Sequence, residues 1–180
     1  MKKIFFIISF LFIFFKSAGA YEPNEGVLIG GLLGLGFAVD DNGLENSMIP
    51  NLGLEVGYQF SNKFDLLGRI SFCGLTDENT SGLDLGIYPF LNFDIGTRYY
   101  FSSEQLSPYV FGALGFFYEG SNESTFIEST FGLHATIGGG FLYYLNEKNG
   151  LGLEGTYNYF ATDPSAIQMI LFNIIYKHTF

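Results

Sequence analysis

Along most of the chain apolar and polar side chains take turns. The clearest stretch is residues 83–101, where the odd positions are Leu83, Leu85, Ile87, Pro89, Leu91, Phe93, Ile95, Thr97, Tyr99 and Phe101. The even positions are Asp84, Gly86, Tyr88, Phe90, Asn92, Asp94, Gly96, Arg98 and Tyr100. A period of two places one set on each face of an extended strand, whereas a helix would scatter both sets around its circumference. The same period predicts eight strands, over residues 27–39, 48–60, 64–75, 83–101, 108–118, 125–145, 150–160 and 166–180. Compact turns at 61–63, 102–107 and 146–149 alternate with more acidic loops at 40–47, 76–82, 119–124 and 161–165.

Which face is buried decides between two architectures. A soluble β-sandwich or lipocalin-like barrel would turn the greasy face inward. Here the opposite face carries Glu55, Arg69, Asp84, Asp94, Arg98, His134, Glu154 and Lys177 among many glycines, which suits a narrow lumen filled with paired charges. The greasy face holds large residues and ends in aromatics, among them Tyr58, Phe60, Tyr99, Phe101, Tyr143, Tyr157 and Tyr159, as an interfacial girdle would. An even strand number with short turns at one end and larger loops at the other completes the pattern. The expected fold is therefore all-β: an eight-stranded antiparallel up-and-down transmembrane β-barrel in a cell outer membrane, with both termini periplasmic.

The start of the chain supports export. Lys2 and Lys3 precede an apolar run over residues 4–15 broken only by Ser9, and Ala18 and Ala20 frame a small-residue cleavage pattern. Twelve residues at about 1.5 Å each reach only ~18 Å, short of the ~30 Å a spanning helix needs. Residues 1–20 are expected to be a cleaved signal peptide, and residues 21–180 one barrel domain. Cleavage removes Lys2, Lys3 and Lys16, leaving five basic residues against 18 acidic ones, so nucleic acid is excluded as a partner. Hydrophobic residues make up 48% of the chain, yet no later apolar run approaches the ~20 residues of a membrane helix. Cys73 is the sole cysteine, so neither an internal disulfide nor a cysteine-based metal site is expected.

At the C-terminus Phe172, Ile174, Tyr176, His178 and Phe180 stand at every second position. This resembles the terminal-strand signature of bacterial outer membrane proteins, and the resemblance implies recognition by the barrel-assembly machinery; His178 departs from the usual apolar preference. The segments PYVFGALG at 108–115 and GGGFLYYL at 138–145 resemble the small OmpA/OmpX-type barrels. That resemblance spans the mature chain and implies the barrel alone, with outer membrane lipids and lipopolysaccharide as its surroundings.

Eight strands close around an interior that side chains fill, so a wide pore is not expected. Arg69, Arg98 and Lys177 should then pair with Glu55, Asp65, Asp84, Asp94 and Glu154 in a polar, partly hydrated lumen network. One set hints at catalysis: His134, Thr136 and, in the next strand, Glu154 are similar to the His-x-Ser and Glu arrangement of the outer membrane lipid A deacylase. In that family the catalytic groups are implied to face lipid, whereas the alternation Phe131, Leu133, Ala135, Ile137 sends His134 and Thr136 inward. Threonine also replaces the nucleophilic serine, so no catalytic residue, cofactor or metal is expected. Asp40 with Asp41, and Asp77 with Glu78, are either solvated loop charges or places for divalent cations that bridge to lipopolysaccharide phosphates. Ser121, Asn122 and Glu123 are turn residues or adhesive ones, and Phe111, Phe116, Phe117 and Tyr118 are packing residues. The expected role is non-enzymatic, in membrane integrity or in contact with a host or environmental ligand through the loops. A small low-conductance channel and a lipid A-modifying enzyme are the alternatives.

Overall fold

The computed structural model describes residues 25–40, 43–76, 87–120, 130–161 and 166–180. They form eight strands: β1 (Gly26–Asp40), β2 (Gly43–Ser61), β3 (Phe64–Thr76), β4 (Ile87–Tyr100), β5 (Leu106–Glu119), β6 (Thr130–Tyr144), β7 (Asn149–Ala161) and β8 (Ile167–Thr179). Each pairs antiparallel with its neighbours in sequence, and β1 pairs with β8 from Leu28↔Thr179 to Val39↔Gln168, which closes the barrel. Closure is what lipid demands, because an open edge would leave N–H and C=O groups without partners at several kcal/mol each.

The two-residue period sorts the wall as the sequence predicts. On β4, Phe93, Ile95 and Tyr99 face outward while Phe90, Asn92, Asp94, Arg98 and Tyr100 are buried. On β8, Phe172, Ile174 and Tyr176 point out and Leu171, Asn173, Ile175 and Lys177 point in. The outer face is an apolar wall studded with Leu33, Leu54, Leu114, Ile137 and Leu153. Aromatic pairs line its turn end, such as Tyr58 with Phe60 and Tyr99 with Phe101. Phe116 and Phe131 stack on the outside, whereas Phe111 and Phe117 fill the interior.

Two expectations about the strands need correcting. Residues 43–47, expected in a loop, belong to β2, where Leu44 and Gly43 pair with Val39 and Asp40. The stretch Gly-Leu-Glu-Asn-Ser carries no two-residue alternation from which a strand could be read. The turn expected over 102–107 is shorter, since Leu106 and Ser107 already pair with β6. The expected strand starts at 83–86 and 125–129 lie outside the described residues. So do the signal peptide with Ala18 and Ala20, Asp84, the acidic pairs Asp41 and Asp77 with Glu78, and the tip residues Ser121, Asn122 and Glu123.

Candidate functional site: the barrel interior

The interior is built from residues that share one parity on every strand, so partners there come from two positions along, from the adjoining strand or from across the lumen. Arg69 on β3 illustrates this. Its Nε and Nη2 both donate to Glu55 Oε1 on the adjacent β2, and Nη2 also donates to Glu154 Oε1 on β7 at 2.8 Å. Arg98 on β4 donates from Nη2 to both oxygens of Glu55 at 3.0 and 3.2 Å and reaches Glu154 Oε2 at 3.5 Å. Tyr109 Oη donates to the same Glu154 oxygen at 3.1 Å. The guanidinium of Arg69 lies 4.2 Å from the Phe111 ring centroid and that of Arg98 4.9 Å from Tyr109, so aromatic faces cover the planes that carboxylates leave free.

Towards the turn end a second ion pair continues the cluster. Lys177 Nζ and Tyr100 Oη each donate to Asp65 Oδ2 at 2.8 Å, and Arg98 Nη1 stands 3.7 Å from that oxygen. Glu55, Asp65 and Glu154 thus balance Arg69, Arg98 and Lys177, so charges that would each be costly in a low-dielectric interior neutralise one another. Of the expected lumen set, Glu55, Arg69, Arg98, Glu154 and Lys177 meet here, with Asp65 as a full member.

Towards the loop end Asp94 and His134 leave that cluster and form one of their own. His134 Nδ1 is 2.8 Å from Asp94 Oδ1, and its Nε2 lies 3.2 Å from Thr136 Oγ1 and 3.3 Å from Asn158 Oδ1. Thr136 Oγ1 donates to Asn158 Oδ1 at 2.9 Å. The imidazole stacks on Phe160 at a centroid distance of 4.3 Å. The grouping of His134, Thr136 and Glu154 read from the sequence is therefore not assembled: Glu154 is committed to the two arginines, and Asp94 orients the histidine instead. Sequence separation hid this pair, since Asp94 and His134 sit two strands apart. They meet over Gly115 of β5, which pairs with both. A Cβ on Gly115 would run into the Phe93 backbone carbonyl and crowd the Asp94 carboxylate beside it. Gly140 does the same for Tyr109 and Glu154, and a Cβ there would run into the Leu153 backbone carbonyl and stand 2.9 Å from the tyrosine oxygen.

Apolar layers close the lumen at both ends of the ion network. Near the loops Ala38, Ile49, Cys73, Phe90, Phe117, Phe160 and Met169 come from seven of the eight strands and pack into one disc. The rings of Phe90, Phe117 and Phe160 touch pairwise at 5.3 to 6.0 Å. Near the turns Leu67, Tyr100, Leu142, Tyr144 and Ile175 form a second cluster that also takes in Tyr109 and Phe111. The signal was present in the sequence, as Phe90 and Tyr100 share the parity of Asp94 and Arg98. Among the described residues no three His, Cys, Asp or Glu side chains converge as a metal site would require.

The remaining predicted site residues lie on the wall. Phe172, Ile174, Tyr176 and Phe180 are exposed on the lipid-facing side, and His178 is half-buried with Nδ1 at 2.8 Å from Asn149 Oδ1.

Known proteins share this architecture at low sequence identity. The crystal structure of Neisserial surface protein A superposes with a TM-score of 0.64 at 12% identity, over 86% of this chain and 97% of that one. The outer membrane enzyme PagL follows at 0.55 and 13%, over 85% and 99% of the two chains. The Yersinia pestis outer membrane protein Ail, determined in a phospholipid bilayer nanodisc, gives 0.52 and 17%, over 83% and 98%. No curated protein sequence is detectably similar to the chain. At these identities the likeness shows the fold, and the fold hosts both a surface protein and an enzyme. The family described as outer membrane protein beta-barrel domain matches residues 6–177, and the chain belongs to that family.

Proposed function

We propose that the protein is a non-enzymatic surface barrel that supports the outer membrane and meets its partners through the loop end. The observation that carries this reading is the closed interior. An aromatic disc, a balanced ion cluster and a second apolar layer fill the lumen from loops to turns. A channel needs a continuous wet path, and an enzyme needs room for a substrate beside its nucleophile. Thr136, His134 and Asp94 do stand in the order of a nucleophile, a base and an orienting acid, which favours the enzyme as the second reading. Yet all three are buried, and Phe160 covers the imidazole face.

The segments at the loop end carry Asp40, Asp41, Glu45, Asp77, Glu78, Asp84, Glu119, Glu123, Glu128 and Asp163 and not one lysine, arginine or histidine. Such a rim repels polyanions, so contact with lipopolysaccharide phosphates would run through divalent cations, and a host or environmental ligand would be cationic. Residues 1–20 serve as the export signal, both termini lie on the periplasmic side, and Phe172, Ile174, Tyr176 and Phe180 are what the barrel-assembly machinery recognises.

Recording from purified protein in planar bilayers should show no unitary conductance steps. Lipid A mass spectra should be the same with and without the protein. A deletion strain should become detergent-sensitive or lose adhesion. Stepwise currents would replace this reading with the channel, and a mass shift in lipid A would replace it with the enzyme.

A further inference from the structure

The outer wall is not uniform. On β6 and β7 two glycines, Gly139 and Gly155, pair directly and both lie on the lipid-facing side, so the wall there is bare backbone. Phe172 borders this floor, with its ring about 3.8 Å from where a Gly155 Cβ would stand, and Leu33, Phe141, Leu153 and Ile174 form the rims. The result is a groove of about 760 Å³. A methylene chain lying against backbone on one side and side chains on two others makes more close contacts than one passing over a convex wall.

Charge says which end of a lipid would sit where. Of the lysines and arginines in residues 21–180, Arg69, Arg98 and Lys177 are buried in the lumen. The exposed ones, Lys63 and Lys148, both lie in turns, at the end of the barrel opposite the acidic loops. Lys148 belongs to the turn between β6 and β7, the strands that floor the groove. Beside it the polar groups form a shelf, with Tyr176 Oη and His178 Nδ1 both on Asn149 Oδ1 at 2.6 and 2.8 Å. From Asn149 to Gly155 the strand climbs six residues. At about 3.3 Å per residue and a tilt near 40°, that is ~15 Å of depth, half of the ~30 Å hydrocarbon core. The same tilt carries Gly155 about 13 Å around the wall, so the groove lies ~20 Å along the strand from the lysine, about one extended acyl chain away, beyond the Leu153 rim.

We propose that this strip binds one glycerophospholipid of the turn-side leaflet, with its phosphate at Lys148 and an acyl chain in the groove floored by Gly139 and Gly155. Glu147, next to Lys148 and also exposed, suits the ammonium of an ethanolamine headgroup but is not required for the phosphate contact. The proposal rests on the bilayer placement of the barrel, which insertion into vesicles reads separately.

The test is native mass spectrometry of the full-length protein, folded in vesicles of phosphatidylethanolamine or of phosphatidylglycerol and released into mild detergent. The wild type should retain one phospholipid per barrel from either vesicle if the phosphate is the recognised group, and from only one if the headgroup decides. Gly155→Leu fills the groove at a position where a Cβ meets nothing closer than Phe172, so the barrel should still fold, and retention should fall roughly tenfold. Lys148→Ala should lower it roughly fivefold, the weight of one lysine near a lipid surface. Gly112→Leu, the same change where a Cβ meets open space, should leave it unchanged. Equal retention in wild type, Gly155→Leu and Lys148→Ala overturns the site. So does equal loss in Gly112→Leu and Gly155→Leu, and so does a lipid-free dimer that Gly155→Leu dissociates.

Discussion

Ile95 and Arg98 stand three residues apart on β4, yet they obey opposite rules. Ile95 is 72% exposed, and on the wall side it touches whatever the bilayer supplies. Arg98 is fully buried and is held by Glu55 from β2, Glu154 from β7 and Asp65 from β3. The wall is therefore a set of nearly independent positions, each judged by its fit to hydrocarbon. The lumen is a set of mutual dependencies, each judged by the partners a loss would strand. Within the lumen the contrast recurs in milder form. The Glu55, Arg69, Arg98 and Glu154 cluster has several partners per residue, whereas Asp94 relies on His134 and on the gap that Gly115 leaves.

These differences predict a ranking of substitutions, read as shifts in the urea unfolding transition of the barrel in lipid vesicles. Arg98→Ala should cost most, about 3–5 kcal/mol, because it leaves buried carboxylates without their counter-charge. An unchanged midpoint with normal heat-dependent gel mobility would mean that the lumen ions do not carry stability. Ile95→Arg, which places a charge on the wall, should cost about 2–4 kcal/mol near the bilayer midplane and less towards the ends. A neutral result would show that this face does not meet hydrocarbon. Gly115→Ala adds a methyl that meets the Phe93 backbone carbonyl and the Asp94 carboxylate together, and about 1–3 kcal/mol is expected from overpacking. Proton NMR of the His134 ring should report the broken Asp94 contact in the same variant. Tyr157→Phe removes a hydroxyl that donates to Gln168 on the exposed wall, and the loss should be about 0.5–1.5 kcal/mol at most. If that change cost more than Gly115→Ala, the division into independent wall and interdependent lumen would fail.

Much of this was legible in the chain. The faces of β4 and β8 follow from parity, because a strand offers only two sides and a bilayer makes one of them apolar. The strand ends were clear where aromatics or compact turns mark them, as at Tyr99 and Phe101. They were obscure at Gly43 to Ser47, where the strand runs on but the period carries no signal. The apolar layers were half visible: Phe90, Phe117 and Phe160 have lumen parity, but parity cannot say that three strands bring their rings to one level.

Partner choice inside the barrel lay beyond the sequence altogether. Glu154 was as available to His134 as to Arg69 by position, and closure with its particular stagger delivered it to the arginines and gave His134 to Asp94. The lipid-facing groove is of the same kind, since Gly139 and Gly155 become a floor only when β6 and β7 align. The amino-acid order by itself determined which side chains turn inward and how many strands form, because both depend on local periodicity and on turns. Only the closed structure decided which inward groups meet, because that depends on register summed around the whole ring.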